Sequence, residues 1–243
     1  MRLIQITDLH INLKEEIVHG VNTKMNFLKT LQDLKKISFD MLVITGDLSY
    51  FDGDIEVYQW IKKQLKENEI TDYRIIGGNH DDPVLLSEVF GGVVLKGELY
   101  YFVEPNLIFL DTVKAYCSQD QLEWFEQNIK NIKDYNPVVF MHHPPFLSGV
   151  PHMDNKYAFE QSDIFAEICK KNPLDTYVFC GHYHNEISLI RDNINVFITP
   201  ATYLQIYMFA EDFVVDHRIP AYRIIEVNDS INKIKTTVRY VFD

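Results

Sequence analysis

The sequence predicts an α/β protein in four layers, α/β/β/α, with two mixed β-sheets packed face to face and flanked by helices. Three observations predict it. Short apolar, β-branched runs recur along the chain and end in Gly, Asp or His, as strands buried on both faces do. Helical periodicity separates the early runs, which requires parallel strands joined by right-handed crossovers. Five islands of metal-binding residue types each follow an apolar run, at the edge where open α/β sheets bind ligands.

Taken in order, Leu3 to Thr7, Met41 to Thr45 and Tyr73 to Ile76 read as buried strands. Between the first two, Asn22 is a plausible N-cap, and Phe27, Leu28, Leu31 and Leu34 share one helical face. Ile55, Tyr58, Ile61 and Leu65 do the same within a helix over 54–68. Tyr100 to Val103 and Leu107 to Leu110 flank Glu104-Pro105-Asn106 and predict a hairpin. Ser118 and Gln121 form an S-x-x-Q capping box before Leu122, Phe125 and Ile129. Val138 to Met141 and Thr176 to Cys180 are further buried strands, separated by a helical stretch over about 157–171. Two hairpins close the chain, turning at Asp192-Asn193 and at Asn228-Asp229-Ser230; the second spans about 221–241. With 243 residues and 47% apolar content, the expectation is one domain over 1–243.

Composition excludes several functions. A net charge of −12 and a pI near 5.1 argue against a nucleic-acid polymer or an anionic membrane as partner, since either needs a basic stripe. Cys117, Cys169 and Cys180 form no C-x-x-C pair and read as free thiols in a reducing compartment. A strand-like run directly after Met1 leaves no room for a signal segment, and no run of about 18 apolar residues follows. The expectation is a soluble cytoplasmic protein.

The five islands are Asp8-Leu9-His10, Gly46-Asp47, Gly78-Asn79-His80-Asp81, Met141-His142-His143-Pro144 and Gly181-His182-Tyr183-His184. Together they bring seven potential ligands to one rim, enough for two divalent ions. Carboxylates, one amide oxygen and imidazoles make a mixed O/N set that suits manganese, iron or zinc better than magnesium or calcium.

The ordered succession D-x-H, G-D, G-N-H-D, H-H-P-P and G-H-x-H resembles the calcineurin-like metallophosphoesterase superfamily. Gly20-Val21-Asn22-Thr23, Thr199-Pro200-Ala201-Thr202 and Pro220-Ala221-Tyr222-Arg223 further resemble bacterial class III cyclic nucleotide phosphodiesterases over nearly the whole chain. The resemblance implies that Asp8, His10 and His184 hold one metal, that Asn79, His142 and His182 hold the other, and that Asp47 bridges. It implies hydrolysis of a 3′,5′-cyclic nucleotide by metal-activated hydroxide, with Asn79, His80, His10 and His184 contacting substrate. Relatives often form homodimers, with the C-terminal hairpin as a candidate surface.

Charge arithmetic fits that substrate. Two divalent ions less Asp8, Asp47 and a bridging hydroxide leave one positive charge, matched to a singly charged small phosphodiester. A unit pair about 4 Å apart is worth on the order of 4 kcal/mol at an effective dielectric of 20, which outweighs the screened acidic surface. His80, beside Asn79, is the candidate acid for the departing alkoxide, and Asp81 the candidate carboxylate that orients it.

Other residues carry ordinary readings. His142 and His143 are adjacent and cannot both point into one site from an extended strand, which leaves His143 to packing. Gly77 and Gly78 suggest a sharp turn. His19, His152 and His217 read as solvated loop residues, with His152, Met153 and Asp154 candidates for a substrate rim. Asp111 reads as a turn carboxylate, Cys180 as a small buried residue and Trp124-Phe125 as a helix packing face. The competing functions are a hydrolase of glycerophosphodiesters, 2′,3′-cyclic nucleotides or nucleotide pyrophosphates, and a scaffold that has lost catalysis.

Overall fold

The computed structural model describes residues 1–228 and 233–242. Strand β1 (Arg2–Ile6) leads through α1 (Thr23–Leu34) to β2 (Met41–Thr45), then through α2 (Ile55–Glu67) to β3 (Tyr73–Ile76) and α3 (Pro83–Phe90). β1 pairs parallel with β2, and β2 with β3. The antiparallel pair β4 (Tyr101–Val103) and β5 (Leu107–Phe109) opens the second sheet. After α4 (Gln119–Asn131) come β6 (Val138–Phe140), α5 (Pro151–Lys156), α6 (Ser162–Cys169) and β7 (Thr176–Cys180). The hairpin β8 (Ile187–Arg191) and β9 (Ile194–Ile198) completes that sheet, and a short ribbon of β10 (Gln205–Ile206) and β11 (Val215–His217) follows. Finally β12 (Ala221–Asn228) and β13 (Lys233–Tyr240) return to the first sheet. The strand orders are β13-β12-β1-β2-β3 and β4-β5-β6-β7-β9-β8.

Alternation along the strands builds the layers. Leu3 and Val43 point inward to Phe109, Phe140, Phe179 and Ile225 and form the core between the sheets. Its aromatic rings stack in series, Phe109–Phe140 at 5.0 Å, Phe140–Phe179 at 5.7 Å and Phe179–Phe197 at 5.3 Å between centroids. Full burial of Phe109, Phe140 and Phe179 contributes roughly 1.5–3 kcal/mol each. Ile4, Leu42 and Ile44 point the other way, to Phe27, Leu31, Tyr58 and Ile61 on α1 and α2. Val139, Val178 and Val196 likewise meet Phe125, Ile129 and Phe165 on α4 and α6. The result is the four-layer sandwich.

One polar seam crosses the inter-sheet core beneath the strand tips. Gln5 Nε2 donates to Thr45 Oγ1 at 2.9 Å, Thr199 Oγ1 donates to Gln5 Oε1 at 2.6 Å, and Arg223 Nε donates to Thr199 Oγ1 at 2.8 Å. All four residues are buried, and each is hydrogen-bonded, as burial demands.

Several expectations change in detail. Ser118 does cap α4 by accepting from Gln121 N, but Gln121 does not reciprocate. Its buried amide instead bonds both backbone groups of Asp111, so tertiary structure takes half of the capping box. Of the helical stretch expected over about 157–171 only α6, Ser162–Cys169, is helical; α5 lies wholly before it, over Pro151–Lys156. Helix α3, capped by Asp82 with Pro83 in its first turn, was not expected. The Asp192-Asn193 hairpin is present; Asp229 and Ser230 of the last turn lie outside the described residues. Among the described residues no helix is long and apolar enough to cross a membrane.

Candidate metal centre

The turns that follow β1, β2, β3, β6 and β7 converge on one point, and their backbones are unusual. Asp8, His10, Asp47, His182 and His184 all have positive φ, at 52°, 44°, 51°, 66° and 51°. Non-glycine residues in this left-handed region cost of order 1–3 kcal/mol each and persist where the surroundings enforce them. Here the enforcement is visible. Asp8 N donates to Gly46 O at 3.0 Å and His10 N to Asp47 O at 2.9 Å. His182 N donates to both oxygens of Asp8 and His80 N donates to Asp47 Oδ1 at 3.0 Å. Gly78 and Gly181 permit this approach by lacking a Cβ: one on Gly78 would strike Asp47, and one on Gly181 would strike Thr7 and Asp8. Close packing, more than the sharp turn expected at Gly78, is what that glycine serves.

The side chains then meet. His184 Nε2 is 3.3 Å from Asp8 Oδ1 and 3.3 Å from His10 Nε2, while His10 Nε2 is 3.4 Å from Asp47 Oδ2. His142 Nε2 is 3.4 Å from Asp47 Oδ2 and 3.9 Å from Asp8 Oδ1. Two triads result, Asp8–His10–His184 and Asp47–His142–His182, with ligand atoms within 4.8 Å of one another; His10, Asp47 and His80 form a third such group. Asn79 is exposed and His80 half-buried, both on the cavity beside the triads.

Outer hydrogen bonds fix which ring nitrogen faces inward. A carbonyl can only accept, so His142 Nδ1 carries its proton toward Thr45 O at 2.8 Å and His184 Nδ1 toward Leu204 O at 2.8 Å. His182 is reversed: Nε2 donates to Tyr157 O at 3.0 Å, leaving Nδ1 for the cluster. Each ring thus turns its other nitrogen to the cluster, and His142 Nε2 is fully buried with no hydrogen-bond partner. Such an orphan next to carboxylates fits a divalent cation, and the O/N donor set fits transition ions.

Electrostatics agree. Burial pushes His10 and His182 down to about 3, so both are neutral donors; the neighbouring Asp47 only partly opposes this. For His142 burial also acts downward, but Asp47 and Asp8 outweigh it and raise the group to about 9. Burial would raise Asp8 and Asp47, yet His184 and His142 hold both below the ordinary carboxylate range. Without metal the cluster thus holds at least one proton on His142, in the place a cation would occupy.

Asp81 corrects an expectation. Its oxygens accept from Leu48 N, Ser49 N, Gly78 N at 2.9 Å and Tyr58 OH at 2.9 Å, so the carboxylate organises the turns bearing Asp47 and Asn79. None of these bonds reaches the His80 ring. His143 bonds Thr112 Oγ1 at 3.1 Å and packs on His182 with centroids 4.1 Å apart. Asp111 accepts from Leu99 N and Val113 N, the turn role expected of it. His152, read as solvated, is buried on the cavity wall, with Nδ1 3.3 Å from Glu211 O.

The cavity holds about 420 Å³, within the range of small-molecule sites. Of the expected rim residues His152 and Met153 line it, with Tyr157 beside them, and Asp154 does not. Tyr50, Phe51, Tyr203 and Phe213 line it without having been foreseen. The three segments that carry the narrower resemblance brace the site. Thr202 N and Tyr203 N donate to Thr7 O and Asp8 O, and Ala221 N donates to Ala201 O. Asn22 caps α1, whose Asn26 Nδ2 donates to Thr202 O and Tyr203 O.

Residues 1–186 match the family of calcineurin-like phosphoesterases, and the chain belongs to that family. It is accordingly a hydrolase of phosphoric ester bonds. A probable cyclic nucleotide phosphodiesterase of Fibrobacter succinogenes is 30% identical, over 97% of this chain and 93% of that protein. The 3′,5′-cyclic adenosine monophosphate phosphodiesterase CpdA of Escherichia coli is 26% identical, over 94% of this chain and 86% of its own. A dimetal phosphatase from Danio rerio shares the fold with a TM-score of 0.68 at 11% identity, covering 99% of this chain and 98% of that one.

Proposed function

We propose that this protein hydrolyses 3′,5′-cyclic nucleotides, cyclic AMP among them, to nucleoside monophosphates. Two divalent transition ions serve the reaction, manganese and iron suiting the ligands best and zinc compatible with them. Asp8, His10 and His184 hold one, Asn79, His142 and His182 the other, and Asp47 is shared. The observation that carries this reading is the buried, unpartnered His142 Nε2 among carboxylates and neutral imidazoles. Its similarity to phosphodiesterases along nearly its full length supports the choice of substrate.

When bound, the ions lower the pKa of water and polarise the phosphoryl oxygens. The protein's own residues do the rest. His80, anchored through its backbone to Asp47 and exposed to the cavity, donates a proton to the departing O3′. Asp81 fixes the turn that presents His80, and Thr45, Leu204 and Tyr157 hold three ligand rings through backbone carbonyls. Aromatic walls shield the nucleoside part of the substrate from water.

The test is a panel of phosphomonoesters, linear diesters, and 2′,3′- and 3′,5′-cyclic nucleotides after reconstitution with manganese, iron or zinc. The 3′,5′-cyclic esters should be cleaved fastest, by protein carrying about two ions per chain. Faster hydrolysis of monoesters than of every diester would overturn the proposal.

A further inference from the structure

Two chains of aromatic contact leave the cluster, one from each triad. From His182 the rings run through Tyr157 at 6.3 Å, His152 at 5.7 Å and Phe213 at 6.0 Å to His19 at 5.4 Å, each step measured between centroids. From His10 they run through Tyr50 at 6.2 Å to Phe51 at 4.8 Å. Both chains line the same cavity. Phe51 and Phe213 line the cavity and are 50% and 42% exposed, so ring surface of both is open to a ligand. Phe213 stands on the loop between β10 and β11, and that loop is fastened to α5: His152 N donates to Ala210 O at 3.2 Å, and Lys156 lies 3.6 Å from Asp212.

Equally informative is what this wall lacks. Apart from Asp47 and Asn79 at the cluster, its side chains include no carboxylate, carboxamide, guanidinium or ammonium. A second phosphate on the alcohol would find no lysine or arginine there, and the polar groups left to a base edge, the hydroxyls of Tyr50, Tyr157 and Tyr203 and the rings of His19 and His152, can each donate or accept and so do not sort amino from carbonyl groups.

We propose that this slot binds the purine base of the substrate by stacking, with Phe213 and Phe51 as specificity-determining residues, and that it accepts adenine and guanine nearly alike. The proposal rests on the cyclic-nucleotide reading above. Stacking is sequence-tolerant because every base has a π-face, and larger bases stack over more area, so purines exceed pyrimidines.

The experiment compares kcat/KM for the 3′,5′-cyclic phosphates of adenosine, guanosine and cytidine with that for the abasic ribose 3′,5′-cyclic phosphate, on the metal-reconstituted enzyme. Adenine and guanine esters should agree within about threefold and exceed the abasic ester by roughly tenfold or more. Phe213→Ala should reduce that advantage about tenfold, chiefly through KM, and Phe213→Trp should restore it. Equal rates for base-bearing and abasic esters would overturn the slot while leaving the phosphodiesterase intact. So would discrimination between adenine and guanine beyond about fiftyfold, which requires edge contacts. If no cyclic phosphate is cleaved, the reading of the function falls. Calorimetric binding of adenosine and guanosine then decides the slot alone: binding weakened by Phe213→Ala supports it, and absent binding overturns it.

Discussion

The backbone amide of His182 donates to both carboxylate oxygens of Asp8, at 3.1 and 3.0 Å, tying the turn after β7 to the turn after β1. The two sheets are thus locked together at their ligand-bearing edge before any metal binds, and Gly181 is the residue that lets them approach.

Gly181→Ala should therefore separate the turns. The added Cβ meets the Thr7 hydroxyl and the Asp8 carboxylate, and overpacking of this kind costs typically about 1–3 kcal/mol. We expect a lower Tm together with a metal content well below two ions per chain, read by denaturation and elemental analysis. A variant that keeps both ions would show that the turns tolerate separation.

His80→Ala should slow esters with alkoxide leaving groups by about 10²- to 10⁴-fold while barely affecting nitrophenyl esters, whose leaving group needs no proton. Equal losses on the two ester types would remove His80 from the acid's role.

Asp81→Ala behaves differently, because Asp81 serves backbone amides and the Tyr58 hydroxyl. Leaving several buried donors unpaired should destabilise the fold by about 3 kcal/mol. The surviving activity should fall to the same degree on alkoxide and nitrophenyl esters, as expected for a residue that shapes turns. A selective loss on alkoxide esters would return Asp81 to the role of orienting His80.

The metal-free protein should be most stable near pH 6.5. His142, raised to about 9 by Asp47 and Asp8 against the effect of burial, contributes stability that is complete below the unfolded value near 6.5 and is lost as pH rises toward 9. His10 and His182, lowered to about 3 by burial, act oppositely: their unfolded forms bind protons first, so stability falls as pH drops below 6.5. Because a metal must displace the His142 proton, its affinity should rise with pH up to about 9, with at least one proton released per chain. Thermal melts across pH and calorimetry in buffers of different ionisation enthalpy measure both effects. A flat affinity between pH 6.5 and 9 would rule out a protonated His142.

The strands were readable because β-branched runs such as Met41–Thr45 are buried on both faces, and their ligand-bearing ends need no context beyond their neighbours. What escaped was non-local. Gln121 has the residue type of a capping box, but Asp111 competes for its amide. His152 sits in loop-like sequence, and the carbonyls that bury it come from Ala210 and Glu211. Tyr50, Phe51 and Phe213 reach one cavity from distant segments, and no spacing rule links them. Helix α3 is the exception: Asp82-Pro83 and Gly91 were local signals of a capped helix.

The left-handed backbone at Asp8, His10, Asp47, His182 and His184 also limits how the centre can be re-engineered. Asn, Asp and His are the side-chain-bearing residues that enter this conformation most readily, and those same three types supply all the donors at this centre. Valine, isoleucine or threonine would strain the chain at any of the five, and a cysteine introduced to recruit a softer ion would meet a backbone built for other residues. Exchange among Asp, Asn and His should therefore be tolerated better at these five positions than exchange for any other donor.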